Sequence, residues 1–147
     1  QPMQLRLCIE TIGEQEISQY AVMQSKGERM PDGSEVMLID SRTPDWTAKG
    51  MIPGAVNLPW TLLSEAKGAD PISIAEIMPE QFGAKEQNGL FYFDDAKTLV
   101  MYCNGMWCGQ SPNNIKSLLK YGYPADKIKW FRGGMQTWEI LGFNTVK

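Results

Sequence analysis

KTLVMYCNGMWCGQSP, running from Lys97 to Pro112, is the stretch around which the chain is organised. Thr98 to Tyr102 make a short, mostly apolar run, the pattern of a strand buried on both faces. The run stops at Cys103, and a loop with two glycines and a second cysteine, Cys108, follows at once. Ser111 then offers a helix N-cap and Pro112 suits a first helical position, with Ile115, Leu118 and Leu119 as the apolar stripe. The stretch therefore reads strand, loop, helix, with a thiol at the strand's C-terminal end. Backbone N–H groups in a tight loop ahead of a helix N-terminus create positive potential, which holds anions and favours a thiolate. Two readings stand at Cys103. One is a reactive thiol, which the glycines and the cap favour; the other is a buried structural cysteine, a common fate of free Cys.

Outward from this centre, the clearest partner is Val36 to Asp40, another buried apolar run, which ends on a carboxylate. Upstream, Gln4 to Glu10 alternates as an edge strand, with Leu5, Leu7 and Ile9 on one face and Cys8 on the other. Thr11 or Gly13 caps a helix through Ile17, Tyr20, Ala21 and Val22 that ends before Gly27, and Met30 to Gly33 is a turn. Thr43 or Pro44 opens a short helix carrying Trp46, and Gly50 to Pro59 is a turn leading into a short strand. Ile72 to Met78 predicts a short helix ending near Pro79, and Gly83 to Gly89 an exposed loop. Phe91, Tyr92 and Phe93 form either a small core patch or a pocket edge. Tyr121 to Pro124 stops the central helix, and Ile128 to Phe131 is a last strand, broken by Arg132-Gly133-Gly134. Met135 to Leu141 is a final helix, with Trp138 and Leu141 facing inward and Gly142 as its C-cap. Strands separated by helices predict an α/β domain with a mostly parallel sheet, one domain over 1–147. Ligands of such sheets sit beyond the strands' C-terminal ends, so Asp40 and Cys103 share one rim.

Composition narrows the chemistry. A chain of 147 residues is large enough for one substantial core. The net charge of −3 and the absence of long basic runs argue against a nucleic-acid or anionic-membrane surface. No segment approaches the ~20 apolar residues of a membrane span. The chain has no histidine, which removes Ser-His-Asp and Cys-His catalysis and His-ligated zinc together. Three cysteines are too few for a disulfide scaffold, and Cys103 with Cys108 alone makes a poor metal site. We expect neither metal nor cofactor. The chain begins at Gln1 rather than Met, which we read as a trimmed or mature chain.

Three segments in order resemble the rhodanese-like domains, single-domain sulfurtransferases that share their α/β fold with certain phosphatases. Leu38-Ile39-Asp40-Ser41-Arg42 with Gly50-Met51-Ile52-Pro53-Gly54-Ala55 is similar to the family's N-terminal signature. Val100-Met101-Tyr102-Cys103 and its glycine loop are similar to the active-site segment, and Arg132-Gly133-Gly134 with Trp138 and Gly142 to the C-terminal signature. The resemblance implies a central five-stranded, mostly parallel sheet flanked by helices on both faces. It also implies that Cys103 takes up sulfane sulfur from a donor such as thiosulfate and hands the persulfide to a thiol or cyanide acceptor. Loop N–H groups over Asn104, Gly105, Met106 and Trp107, then Gly109, Gln110 and Ser111, would bind the anionic donor.

The loop departs from the family's pattern. Cys103 to Ser111 is longer than usual and holds no arginine; Cys108 stands near where that arginine would be. A phosphatase needs the planar guanidinium to clamp a tetrahedral dianion, so phosphoryl chemistry is disfavoured. Arg42 and Arg132 are the basic candidates left near the rim, with Asp40 and Arg42 expected to pair as structural support. Cys108 either resolves a Cys103 persulfide or sulfenic acid by forming a disulfide, or replaces the arginine and packs under Trp107. Trp107 is a pocket wall or a core anchor. The leading expectation is a sulfurtransferase using Cys103. The alternatives are a thiol redox protein cycling Cys103–Cys108 and a non-catalytic rhodanese module that binds a partner. Expected partners are a small sulfur donor and a thiol acceptor, with no nucleic acid. A bacterial periplasm is the favoured location, and a reduced cytosolic pair fits the sequence equally well.

Overall fold

The computed structural model of the chain describes residues 9–63, 68–88, 90–103, 110–143 and 145–146, and only the backbone of 110–113. In chain order the elements begin β1 (Glu10–Ile12), α1 (Glu14–Lys26), β2 (Val36–Asp40), α2 (Pro44–Thr47) and β3 (Val56–Asn57). A 3-10 turn over Trp60–Leu62 precedes α3 (Pro71–Phe82), the hairpin strands β4 (Lys85–Gln87) and β5 (Leu90–Tyr92), and β6 (Thr98–Tyr102). The chain closes with α4 (Gln110–Lys120), β7 (Ile128–Phe131) and α5 (Gly134–Ile140).

The main sheet has five strands in the order β1-β7-β6-β2-β3, every pairing parallel. Its centre is β2, β6 and β7, buried at every position because both faces are covered. Alternation along these strands sorts the core into two layers. Met37, Ile39, Leu99, Met101, Ile128 and Trp130 face α3 and α4. Val36, Leu38, Val100, Tyr102 and Phe131 face α1 and α5, meeting Ile17, Met135 and Trp138. This is the expected α/β architecture, with helices on both faces of a parallel sheet.

Several local expectations need correction. The helix expected to end near Pro79 continues through it to Phe82. A proline inside a helix costs ~3 kcal/mol, but Met78 and Phe82 on either side of it are wholly buried, and that burial outweighs the break. The stop is Gly83, whose φ of +76 suits a left-handed cap. The loop expected over Gly83 to Gly89 contains β4, which pairs antiparallel with β5. Asn88, at φ 54 and followed in sequence by glycine, is the hairpin signal that a loop assignment overlooks. At the amino end, β1 begins at Glu10 and carries on through Thr11, so Thr11 is strand and Gly13 is the helix N-cap position. Gln4 to Cys8 lie outside the described residues. Helix α4 begins at Gln110, which puts Ser111 and Pro112 inside its first turn rather than at its boundary. Leu141 falls past the end of α5 and is 48% exposed, while Trp138 packs inward as expected.

The entry to β6 is held by side chains from later in the chain. Lys127 is nearly buried, and its ammonium donates to the carbonyls of Phe93 (2.7 Å), Asp94 (3.3 Å) and Ala96 (3.2 Å). Tyr123 donates to the Lys97 carbonyl at 2.5 Å, its ring edge-on to Phe82 and tilted against Phe93. Burial pushes the Tyr123 phenol well above its ordinary range, so it stays a donor.

Candidate active site at the carboxyl end of the central strands

Cys103 follows the last residue of β6 and is 2% exposed. Register fixes its neighbours: Tyr102 stands opposite Asp40 on one side and Phe131 on the other. One step further, Ser41 follows β2 and Arg132 follows β7 at the same end of the sheet. The ladder confirms that step on the β2 side, where the Ser41 N–H donates to the Tyr102 carbonyl at 2.9 Å. On the β7 side, the Met135 N–H in the first turn of α5 donates to the Cys103 carbonyl at 2.8 Å. Asp40 and Cys103 thus occupy one rim, as their strand-closing positions predict.

Alternation then separates the rim into two faces. Asp40 shares the parity of Leu38 and lies with Tyr102 on the α1/α5 face. Cys103 shares the parity of Met101, and Ser41 that of Ile39, which belong to the α3/α4 face.

The Asp40 face is a closed polar network. The Asp40 carboxylate accepts from the Arg42 N–H (3.0 Å), from Arg42 Nε on both oxygens (2.9 and 3.0 Å) and from Arg42 Nη2 (2.6 Å). Arg42 Nη2 also donates to the Gly50 carbonyl at 2.6 Å. The Tyr102 hydroxyl accepts from the Ile52 N–H at 3.1 Å and feels the Asp40 charge. Burial first, and then the Asp40 charge, drive the Tyr102 phenol far above its usual range, so it remains protonated. Asn57 Nδ2 donates to the carbonyls of Asp40 and Arg42 at 3.1 and 2.7 Å. Both partners of the ion pair are almost fully buried. The expected Asp40–Arg42 pair is therefore present, and it commits the Arg42 guanidinium on the face away from Cys103.

The Cys103 face is different. Cys103 is engaged in a disulfide, and Cys8 and Cys108 lie outside the described residues. Arg132 is half-buried, and its Nε is buried with no hydrogen-bond partner among the described residues. Asn114, in the second turn of α4, has 0% exposure, and neither its Nδ2 nor its Oδ1 has a partner among the described residues. Sequence reading missed Asn114. A signal existed: it stands four residues before Leu118 and one before Ile115, a polar residue within an apolar stripe.

The expected loop ligands Asn104, Gly105, Met106, Trp107 and Gly109 lie outside the described residues, as does Cys108. Gln110 and Ser111 are placed only as backbone in the first turn of α4. Among the described residues, no three Cys, Asp or Glu side chains gather into a metal-binding group, and no helix is long and apolar enough to cross a membrane. A cleft of about 400 Å³ lined by Glu28, Glu35, Val36 and Lys97 opens at the opposite end of β2 and β6, away from this rim.

Comparison with known proteins gives the family and the fold. Residues 23–141 match the family model of the rhodanese-like domain. A protein described as a sulfurtransferase from Allochromatium vinosum is 29% identical over 123 residues, covering 84% of this chain and 90% of that one. Among solved structures, the human single-domain sulfurtransferase superposes with a TM-score of 0.51 at 20% identity, covering 88% of this chain and 95% of the other. A Bacillus halodurans protein superposes at 0.61 with 16% identity, covering 95% of this chain and 77% of that one. At such identities the structural likenesses speak for the fold.

Proposed function

The chain belongs to the rhodanese-like domain family, and from that premise we propose that it is a sulfurtransferase whose nucleophile is Cys103. The supporting observation is positional. Cys103 follows the last residue of the central strand of a parallel sheet, with the Ser41 N–H bound to the preceding carbonyl and the N-terminal turn of α5 bound to its own. In the proposed reaction the Cys103 thiolate attacks the outer sulfur of a donor such as thiosulfate. A new S–S bond forms at Cys103, the donor's own S–S bond breaks, and its electron pair leaves with sulfite. The resulting persulfide passes its outer sulfur to a thiol or cyanide acceptor, which regenerates the thiolate. Loop N–H groups ahead of α4 would stabilise the anions on either side of this step.

The disulfide at Cys103 favours a second reading, in which Cys103 and Cys108 cycle as a redox pair. Such a bond suits an oxidising compartment such as a periplasm. Under the first reading, a thiol reductant must open it before sulfur is accepted.

Intact-mass measurement of reduced protein before and after thiosulfate decides between them, with Cys103→Ser as control. The expected result is a gain of one sulfur, absent in Cys103→Ser and reversed by a thiol. No gain, together with a two-hydrogen deficit in unreduced protein that reductant removes, would instead establish the redox pair.

A further inference from the structure

At the end of the sheet away from Cys103, one residue of β2 is left without a neighbouring strand. Strand β3 pairs only with Ile39 and Asp40. Main-chain groups along a strand point alternately to its two neighbours. The Glu35 carbonyl and the Ser41 N–H bond toward β6, at 2.7 Å to Thr98 and 2.9 Å to Tyr102, so Val36, Leu38 and Asp40 direct theirs toward β3. There the Asp40 carbonyl accepts from the Leu58 N–H at 3.0 Å. The Leu38 N–H donates to Gln24 Oε1 at 3.2 Å, and Gln24 Nε2 donates to the Gly54 carbonyl at 2.7 Å. A side-chain amide thus stands where the peptide group of a neighbouring strand would. Ser34 is closed off by its own turn, its N–H on Asp32 Oδ1 and its carbonyl on the Met30 N–H, both at 2.9 Å. Val36 lies between these positions with no strand opposite, and the cleft of about 400 Å³ opens there. Glu28, just past α1, borders that cleft on the side of the sheet to which Val36 belongs. Gln81 and Lys97 border it on the other side, where the Lys97 N–H donates to the Phe82 carbonyl at the end of α3 (2.8 Å). Glu35 is paired with Arg29, whereas neither Glu28 nor Lys97 has an ion-pair partner among the described residues.

We propose that this cleft docks an extended peptide segment of a partner protein, with a basic residue opposite Val36 and an acidic residue directly after it. A guest strand antiparallel to β2 satisfies Val36 with a single residue: the guest N–H donates to the Val36 carbonyl, and the guest carbonyl accepts from the Val36 N–H. Directly opposed side chains share a face, so that residue's side chain lies toward α1 and meets the Glu28 carboxylate. The following side chain lies on the other face. It stands opposite Glu35, whose charge Arg29 already balances, and at the level of Lys97. Charge complementarity then sets the motif as lysine or arginine followed by aspartate or glutamate. The docking edge is independent of the chemistry at Cys103. Val36 is level with Thr98, five residues or ~16 Å along β6 from the thiol, so a docked segment leaves the rim open.

Amide NMR of the whole chain, titrated with the blocked peptide acetyl-valine-lysine-glutamate-valine-amide, tests the site. The expected result is a saturable shift of the Val36 amide. Methylating the lysine nitrogen of the peptide removes the donor to the Val36 carbonyl and weakens binding at least about fivefold, the loss of one hydrogen bond. Methylating the glutamate nitrogen, which points away from β2, changes binding by less than about twofold. Glu28→Gln, at an exposed side chain, weakens the lysine peptide about threefold and leaves a norleucine analogue unaffected, the scale of an exposed ion pair. No saturable shift at Val36 with peptide up to roughly 10 mM, beyond which an affinity carries no specificity, overturns the proposal. Equal losses from the two methylations overturn it as well. Shifts at Val36 that grow with protein concentration in the absence of peptide mean that a second copy of the chain fills the edge, which also overturns it.

Discussion

Two regions of the molecule carry similar polar residues and treat them in opposite ways. On the α1/α5 face, Asp40, Arg42, Tyr102 and Asn57 bind one another and nearby backbone groups, so the buried ion pair is enclosed by its own partners. Elsewhere, on α4 and just past the end of β7, Asn114 and the Arg132 Nε are buried without partners among the described residues. A satisfied network makes a rigid frame, because each member has its geometry set by several others. The difference marks the Asp40 network as architecture.

Asp40→Ala attacks the frame most directly. Removing the carboxylate leaves the buried Arg42 guanidinium uncompensated, and we expect a loss of about 3–5 kcal/mol, read from urea unfolding midpoints. A loss below ~1 kcal/mol, the scale of an exposed pair, would erase the contrast between the two regions. Tyr102→Phe is milder: the Ile52 N–H loses its acceptor in a buried setting, for a cost of about 1–3 kcal/mol in the same assay. The smallest effect carries the opposite sign. Asn114→Leu removes an unsatisfied buried amide, so stability should rise by about 1 kcal/mol. A drop in stability would show that the amide is bonded after all.

Much of this arrangement was legible in the chain itself. β2, β6 and β7 are short runs of consecutive apolar residues, a pattern that needs burial on both faces and hence a covered parallel sheet. Asp40 and Cys103 at the ends of two such runs placed the rim. The hairpin escaped because Lys85 to Gln87 are exposed and polar, leaving Asn88 and the glycine after it as the only local cue. Helix α3 escaped because Pro79 is a local stop signal, while the burial of Phe82 that overrides it is tertiary. Arg42 and Arg132 looked equivalent, both basic and both near the rim. In the structure Arg42 is held by Asp40 and the Gly50 carbonyl, while Arg132 follows β7 with its Nε unpartnered among the described residues. Asn114 left only a faint trace, its place four residues before Leu118 within an apolar stripe, because its burial comes from what packs across the helix.

The clamp at Lys127 bears on how the protein meets brine and acid. Its ammonium rests against three main-chain carbonyls instead of a carboxylate. A carbonyl does not titrate, and it carries no net charge for dissolved ions to screen. The Lys129–Glu10 and Arg29–Glu35 contacts are ion pairs, which weaken when the carboxylate is protonated or the ionic strength rises. The segment feeding the cysteine-bearing strand thus keeps a main-chain tether when its exposed Lys85–Asp95 ion pair is weakened by acid or salt.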